Sequence, residues 1–118
     1  MVAACVLYVF EDVALGGTAF FTPTRGERET AVLVHESGVL APDVFRAKYG
    51  IEPGYMTRSN AWFEKSGAIE PRFNRLIFYD GGAVFHGSDI AEPARLSDDP
   101  RTGRLTLNGF FVCRRSVA

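Results

Sequence analysis

The sequence predicts a mainly β protein, either an all-β barrel or a jelly roll, with one helical and irregular insert in the middle of the chain. Strand-like segments dominate both ends of the 118 residues. A continuous apolar run rich in β-branched and aromatic residues occupies residues 2–10, and a segment that alternates and then becomes wholly apolar occupies residues 104–113. The length fits one ordinary domain with one hydrophobic core, and no repeat or linker divides it.

The first elements are two strands and a loop. Residues 2–10 (VAACVLYVF) predict a buried strand, and the Gly16-Gly17 pair predicts a tight connection. Residues 18–22 (TAFFT) then predict the strand that pairs with the first one. Residues 23–29 are polar and contain Pro and Gly, which predicts a loop.

The middle of the chain is mixed. Residues 31–40 (AVLVHESGVL) are compatible with a strand or a helix, and the pattern does not decide between them. Residues 41–49 (APDVFRAKY) predict a helix that has its proline in the first turn. Residues 50–60 contain Gly, Pro, Asn and Ser without periodicity and predict a loop. The apolar residues expected to pack on the core after this loop are Trp62, Phe63 and Ile69.

The later part of the chain contains the clearest strand, residues 73–79 (FNRLIFY). The sequence Asp80-Gly81-Gly82 follows it and precedes a short strand, AVFH, which predicts a hairpin that places His86 at a strand end. Residues 88–103 hold two prolines and little apolar content, which predicts a long surface loop of the kind that is often functional.

Charge and hydropathy argue against some partners. The chain has 13 basic and 14 acidic residues, so no charge excess would attract nucleic acid or an anionic membrane. No apolar run approaches the roughly 20 residues that a membrane span needs. The apolar N-terminal run has no basic flank and no small-residue cleavage site. We therefore expect a cytoplasmic protein without a nucleic-acid or membrane partner.

The two cysteines, Cys5 and Cys113, are too few for a disulfide framework and lack the close spacing of a zinc site. The interpretation we favour is two reduced thiols buried in strands. Because neighbouring strands can bring opposite ends of a chain together, their pairing stays open.

His86 is the first candidate for chemistry, since a residue just after a short strand and a Gly-Gly turn can point into the mouth of a barrel. It could ligate a metal, or it could be a satisfied residue at the rim. His35, beside Glu36, is a weaker candidate. A third hypothesis takes Cys113 as a nucleophile with His86 as its base, although a cysteine buried in a strand is usually inert.

Arg104 is the second candidate, at the start of a strand that then becomes core. If the side chain of Arg104 points inward, its guanidinium needs a partner, because burying an unpaired guanidinium costs several kcal/mol of folding free energy. A bound dicarboxylate is one such partner. The alternatives are a salt bridge to Asp98, Asp99 or another acid, and simple exposure. Thr106 and Asn108 are predicted to share its face, so the Thr106 hydroxyl could add a donor, or Thr106 could simply favour the strand.

Three ordered blocks together resemble the later half of the prolyl-4-hydroxylase-like branch of 2-oxoglutarate/Fe(II)-dependent oxygenases. The blocks are residues 6–21 (VLYVFEDVALGGTAFF), 73–87 (FNRLIFYDGGAVFHG) and 99–111 (DPRTGRLTLNGFF). They resemble the family's strand-turn-strand, its strand pair that delivers the distal metal histidine, and its strand that bears the cosubstrate arginine. Residues 22–72 match poorly. The resemblance, clearest to a group of little-characterised bacterial proteins, implies a double-stranded β-helix (jelly roll, cupin-like) whose first strands are missing.

The same resemblance implies roles for four residues. His86 would be the distal iron ligand, and Arg104 would pair with the far carboxylate of 2-oxoglutarate. Tyr8 would hydrogen-bond that carboxylate, or else be an aromatic core residue, and Thr106 would be a second hydroxyl donor. The implied cofactors are Fe(II) and 2-oxoglutarate, and the implied activity is hydroxylation of a small molecule or a peptide. A facial triad of two histidines and one carboxylate leaves room on Fe(II) for a bidentate 2-oxo acid and dioxygen.

One departure from the family bears on activity. The His-x-Asp motif that supplies the first two ligands should precede the strand of Tyr8, and Met1 lies only seven residues before it. One protein ligand of three remains, so we expect the isolated chain to be inactive. Either the chain begins late, or it is a remnant that works as a binding or interaction module, or Glu11, Asp12 or a second subunit completes the site. Missing first strands would also expose a sheet edge and favour a homodimer.

Overall fold

The computed structural model describes residues 2–114 and contains two antiparallel three-stranded sheets and two short helices. The elements in chain order are β1 (Val2–Tyr8), β2 (Thr18–Pro23), α1 (Glu27–Val39), α2 (Pro42–Tyr49), β3 (Phe63–Ile69), β4 (Leu76–Asp80), β5 (Phe85–Ser88) and β6 (Thr106–Val112). Single 3-10 turns lie at Val13–Leu15 and Pro93–Arg95. The prediction of a mainly β chain with a helical insert is confirmed.

Each sheet has a central strand with an antiparallel partner on either side. Sheet one has the strand order β4-β1-β6, and sheet two has the order β3-β2-β5. In sheet one Leu7 of β1 lies opposite Leu76 of β4 and Leu107 of β6. In sheet two the register of β2 against β3 shifts between Phe20 and Phe21. Because side chains alternate along a strand, this register defines an inner face of each sheet, toward the other sheet, and an outer face.

Two predicted strand pairings are wrong. The strand at residues 18–22 was expected to pair with the first strand, but β1 lies in sheet one and β2 in sheet two. The hairpin expected around Asp80-Gly81-Gly82 is absent as well, because β4 belongs to sheet one and β5 pairs with β2. Turn residues indicate that the chain reverses, but they do not indicate which sheet receives the next strand. Both connections carry the chain from one sheet to the other.

The middle of the chain resolves into two helices and one strand. The ambiguous run at residues 31–40 is helical up to Val39. Helix α1 begins at Glu27, inside the predicted loop, with acidic side chains in the first turn where the helix dipole favours them. The second helix has its proline in the first turn as predicted and ends at Gly50, which is left-handed with φ 69°. Strand β3 was not predicted.

A first cluster of buried side chains lies between the outer face of sheet two and the two helices. Ala19, Phe21 and Phe63 come from the sheet, Leu33 comes from α1, and Tyr49 comes from α2. Trp62 packs against this cluster, and its indole Nε1 donates to the Tyr49 carbonyl at 3.0 Å. The insert therefore forms the cover of one sheet.

A second cluster lies at the inner face of sheet one and the connection that leads to sheet two. Its buried members are Tyr8, Phe10, Leu15 and Ile77. Across the gap, the rings of Phe20 (sheet two) and Tyr79 (sheet one) meet edge to face with centroids 5.2 Å apart. These contacts hold the two inner faces together.

The Gly16-Gly17 connection is packed against other backbone segments. Gly16 has φ 90°, and a Cβ on it would lie 2.1 Å from the Asp89 carbonyl oxygen. A Cβ on Gly17 would lie 1.9 Å from the Ile69 carbonyl oxygen. Glycine is therefore required at both positions, for steric reasons that the sequence alone did not reveal.

The outer face of sheet one has no covering helix within residues 2–114. We call this surface the open face. Four of its large side chains are at least half exposed: Leu76 61%, Phe78 63%, Leu107 66% and Phe111 50%. Separately, no helix in the described part of the chain has the length and hydropathy needed to cross a membrane.

Candidate functional site

A cavity of about 290 Å³ lies between the inner faces of the two sheets. Its polar lining comes from both sheets: Tyr79, Thr106 and Asn108 from sheet one, Thr18, His86 and Ser88 from sheet two, and Arg104 just before β6. The volume is close to the lower limit of small-molecule sites, which suits a small metabolite. Arg104, Thr106 and Asn108 share one face, as the alternation along the strand predicted.

Arg104 is held by backbone carbonyl groups. Its Nε donates to the Gly16 oxygen at 3.1 Å, and its Nη2 donates to the Gly17 oxygen at 2.9 Å. The guanidinium carbon also lies 5.7 Å from the centre of the Phe10 ring. The two packed glycines therefore fix the orientation of the guanidinium, while its remaining N–H groups are left to other acceptors.

Arg104 pairs with no acidic side chain in residues 2–114. Of the two aspartates considered as partners from the sequence, Asp99 binds Arg101 instead at 3.1 Å, and Asp98 forms no ion pair within the described residues. Burial lowers the pKa of Arg104, and the nearby Tyr8 and Tyr55 partly oppose this. Because an arginine keeps its proton in proteins, the cavity contains a partly desolvated cation, and an anionic ligand would compensate its charge.

His86 lies on β5, with its ring at the cavity and exposed to solvent. Its Nδ1 lies 3.3 Å from the Val84 carbonyl oxygen, and its ring meets Tyr79 with centroids 4.8 Å apart. A carbonyl only accepts, so this contact favours the tautomer that carries the proton on Nδ1. The Nε2 lone pair of that tautomer is available to a metal ion or to a ligand.

The metal-ligating side chains among residues 2–114 do not form an iron site. No group of three or more His, Cys, Asp or Glu side chains in residues 2–114 could hold a metal ion. A facial Fe(II) site takes two histidines and one carboxylate, and this cavity supplies His86 alone. The residues that the structure describes therefore do not fit Fe(II) by themselves.

The two acids considered as substitute ligands lie elsewhere. Asp12 caps the turn at Val13–Leu15 by accepting from the Ala14 amide, and it pairs with Arg95 at 3.1 Å. Arg95 holds the pKa of Asp12 below its ordinary value. Glu11 and Asp12 line a different cavity, beside Phe10 and Phe73. Neither carboxylate is among the residues at the cavity of His86.

Tyr8 is completely buried and does not line the cavity. Its hydroxyl bonds to the Thr18 hydroxyl at 2.5 Å, and it is Thr18 that reaches the cavity, while Thr106 lies opposite Tyr8 in the sheet. Sequence reasoning did not identify Thr18 or Ser88 as site residues. The alternation of β2 contained a signal, because Thr18 falls on the same side as Phe20 and opposite to Ala19.

The remaining chemical candidates are separated from His86. Cys113 lies just beyond β6, is exposed and is not at the cavity, so the prediction of a buried thiol is wrong for it and the nucleophile hypothesis loses its geometry. Cys5 is partly buried and is likewise a free thiol. It is among the residues at the cavity, but the strand register places its side chain on the outer face of sheet one. His35 is on α1, at a groove that also touches Phe85 on the opposite side of sheet two.

Comparison with known proteins shows the family of this chain. Residues 1–111 match the family of unknown function DUF6445. The chain belongs to this family. No curated protein and no solved structure matches the sequence. In this DUF6445 chain, the cavity between the sheets is the candidate functional site.

Proposed function

We propose that this DUF6445 chain binds 2-oxoglutarate in the cavity between its sheets, as the cosubstrate end of an oxygenase-type barrel that hydroxylates a small molecule or a peptide. The observation that carries the proposal is Arg104, a partly buried guanidinium without an acidic partner in residues 2–114, at the same cavity as His86. The three blocks of sequence resemblance assign the same two residues to the two ends of the cosubstrate.

The far carboxylate of the ligand would bind at the sheet-one side of the cavity. The Gly16 and Gly17 carbonyls occupy Nε and one N–H of Nη2, so Arg104 can offer its other N–H groups to a carboxylate as charge-assisted donors. The hydroxyls of Thr106 and Thr18 line the same cavity and can donate as well. In this proposal Tyr8 acts through Thr18 and does not contact the ligand.

The oxo-acid end would extend toward His86 on sheet two. His86 would supply one imidazole nitrogen to a metal ion, and the two further ligands of a facial site would have to come from outside the residues described. We therefore assign carboxylate binding to this chain and oxidation only to a completed site.

We also propose that the two sheets form a double-stranded β-helix. Two antiparallel three-stranded sheets with a cavity between their inner faces, and connections that cross from one sheet to the other, are features of a double-stranded β-helix. A cytoplasmic location stays a prediction from composition.

A second candidate function is a barrel that binds its ligand without turnover. Among the residues that the structure describes, the cavity is lined by one histidine and by no Asp or Glu, which favours this second function. The two functions differ in one measurable property, which is whether a divalent metal strengthens the binding of 2-oxoglutarate.

Isothermal titration with 2-oxoglutarate, with and without Mn(II), tests the proposal. We expect binding that Arg104→Ala reduces at least tenfold, while Arg101→Ala, which removes an exposed arginine, leaves binding unchanged. Glutarate, which lacks the oxo group, is the matched ligand.

The outcomes separate the two functions. If Mn(II) strengthens binding of 2-oxoglutarate but not of glutarate, and His86→Ala removes that effect, the oxygenase site is supported. Equal binding of both diacids without any metal effect supports the non-catalytic module. If neither diacid gives a heat of binding, with or without Mn(II), the proposal is wrong.

A further inference from the structure

The open face of sheet one is apolar across all three strands. The strand register places nine residues on it: Ala3, Cys5 and Leu7 of β1, Leu76, Phe78 and Asp80 of β4, and Leu107, Gly109 and Phe111 of β6. Asp80, in the last row, is the one charged residue of the nine. A surface this poor in charge gains little from contact with water and is typical of an interface.

The exposed area is large for a chain of this size. Four of the five large side chains of the open face are 50–66% exposed, and Leu7, on the central strand, is partly buried. The rings of Phe78 and Phe111 lie 6.3 Å apart across that strand. With about 200 Å² for a side chain of this size, the four side chains expose roughly 500 Å² of apolar surface. Two such faces in contact would bury roughly 1,000 Å², which is about the area at which specific interfaces begin.

We propose that a second copy of this chain covers the open face, sheet against sheet, about a twofold axis. A twofold interface joins the same patch of both copies, so the patch has to complement itself. The apolar rows of the face can do this without burying an unpaired charge, because Asp80 lies in the last row, at the rim. Stacked sheets pack face to face about 10 Å apart. The cavity with Arg104 lies on the inner side of sheet one, so the dimer leaves it accessible.

The arrangement differs from pairing along a sheet edge. Strand β6 is one edge of sheet one and β4 is the other, with β1 between them. Pairing through the edge of β6 would involve Leu107 and Phe111 but not Phe78. Packing through the face requires Phe78 and Leu107 equally, so one substitution on each edge strand distinguishes the two arrangements.

Sedimentation equilibrium over the micromolar range tests the proposal. We expect a mass of twice 13.0 kDa for the unaltered chain. Phe78→Glu and Leu107→Glu should each raise the dimer dissociation constant at least a hundredfold. Val39→Glu replaces a 63% exposed valine on α1 and should leave the dimer intact. Far-UV circular dichroism checks that each variant is folded.

A second measurement needs no variant. In the unaltered chain at high concentration, the methyl groups of Leu76 and Leu107 should be shielded from a soluble paramagnetic agent, while those of Val39 should be broadened. A monomer, an assembly larger than a dimer, strong broadening at both leucines, or a dimer that survives Phe78→Glu but not Leu107→Glu would each overturn the proposal.

Discussion

The outer faces of the two sheets differ sharply, although both sheets have three antiparallel strands. On sheet two, helices α1 and α2 cover the face, and Phe63, Leu33 and Tyr49 are at most 9% exposed. On sheet one the equivalent face exposes Phe78 and Leu107 by 63% and 66%. The difference teaches that alternation along a strand creates an apolar face, but only a second layer buries it. The helical insert supplies that second layer for sheet two. Sheet one needs a covering layer from another source.

The largest expected effect is a loss of stability at the Gly16-Gly17 connection. This connection links the two sheets whose outer faces are compared. Gly17→Ala would force a Cβ to within 1.9 Å of the Ile69 carbonyl oxygen. We expect a loss of at least about 3 kcal/mol in the free energy of unfolding, measured by urea denaturation. Gly38→Ala in α1 is the control, because a Cβ there meets nothing within 4 Å, and it should be neutral or stabilising by up to about 1 kcal/mol. Similar effects at both glycines would contradict the packed connection.

The comparison of the two faces is tested directly by a pair of leucines. Leu33→Ala removes a side chain that is 4% exposed under α1 and should cost about 2–4 kcal/mol of unfolding free energy. Leu107→Ala removes one that is 66% exposed and should cost less than about 1 kcal/mol, when measured at concentrations at which the chain is monomeric. Equal losses at low concentration would mean that the two outer faces do not differ in the protomer.

The strands that could be predicted from the sequence are those with a distinctive apolar composition. The apolar runs that became β1, β2, β4 and β6 were all identified. Strand β3 (FEKSGAI) was missed because it is an edge strand with two charged side chains, held mainly by backbone pairing to β2. The pairings were wrong because the partners of a strand are set by the tertiary arrangement of both sheets.

The part of the candidate site that could be predicted from the sequence is the set of residues that alternation places on one face of a strand. Arg104 and Thr106 were placed on one face from their spacing, and the resemblance added His86 across the cavity. Thr18 was not found, since a threonine in a strand ordinarily indicates only β propensity. The anchoring of Arg104 by two carbonyls also could not be read from the sequence, because it depends on how closely the Gly16-Gly17 segment approaches other backbone.

A smaller effect is expected from the hydrogen bond between the inner faces. Tyr8→Phe removes the hydroxyl that bonds to Thr18 at 2.5 Å in a buried position, and it should cost about 1 kcal/mol. Thr18→Val should cost a similar amount. In the double variant the losses should not add, because both substitutions remove one shared bond. Additive losses in urea denaturation would mean that the hydroxyls act independently.

The smallest effect concerns the helices that cover sheet two. Lys48, at 2.7 Å, and then the Tyr49 hydroxyl hold the pKa of Glu36 below its ordinary value. A depressed carboxyl pKa contributes stability above the unfolded value of about 4.3, and this stability is lost as the pH falls through the folded value. We expect Glu36→Gln to reduce the acid sensitivity of thermal unfolding, measured as the change in Tm between neutral and acidic pH. An identical acid profile for Glu36→Gln and the unaltered chain would contradict the assignment.

The most direct test of the central claim is an NMR titration of the labelled chain with 2-oxoglutarate. We predict that the signals of Arg104 Nε, Thr106, Thr18 and Ser88 shift together and saturate, while the outer-face residues Leu76 and Leu107 and the helical residue Leu33 keep their positions. Arg104→Ala should abolish the shifts at Thr18 and Ser88. Saturable shifts confined to the helices or to the open face, or no shifts at all, would contradict a carboxylate site between the two sheets.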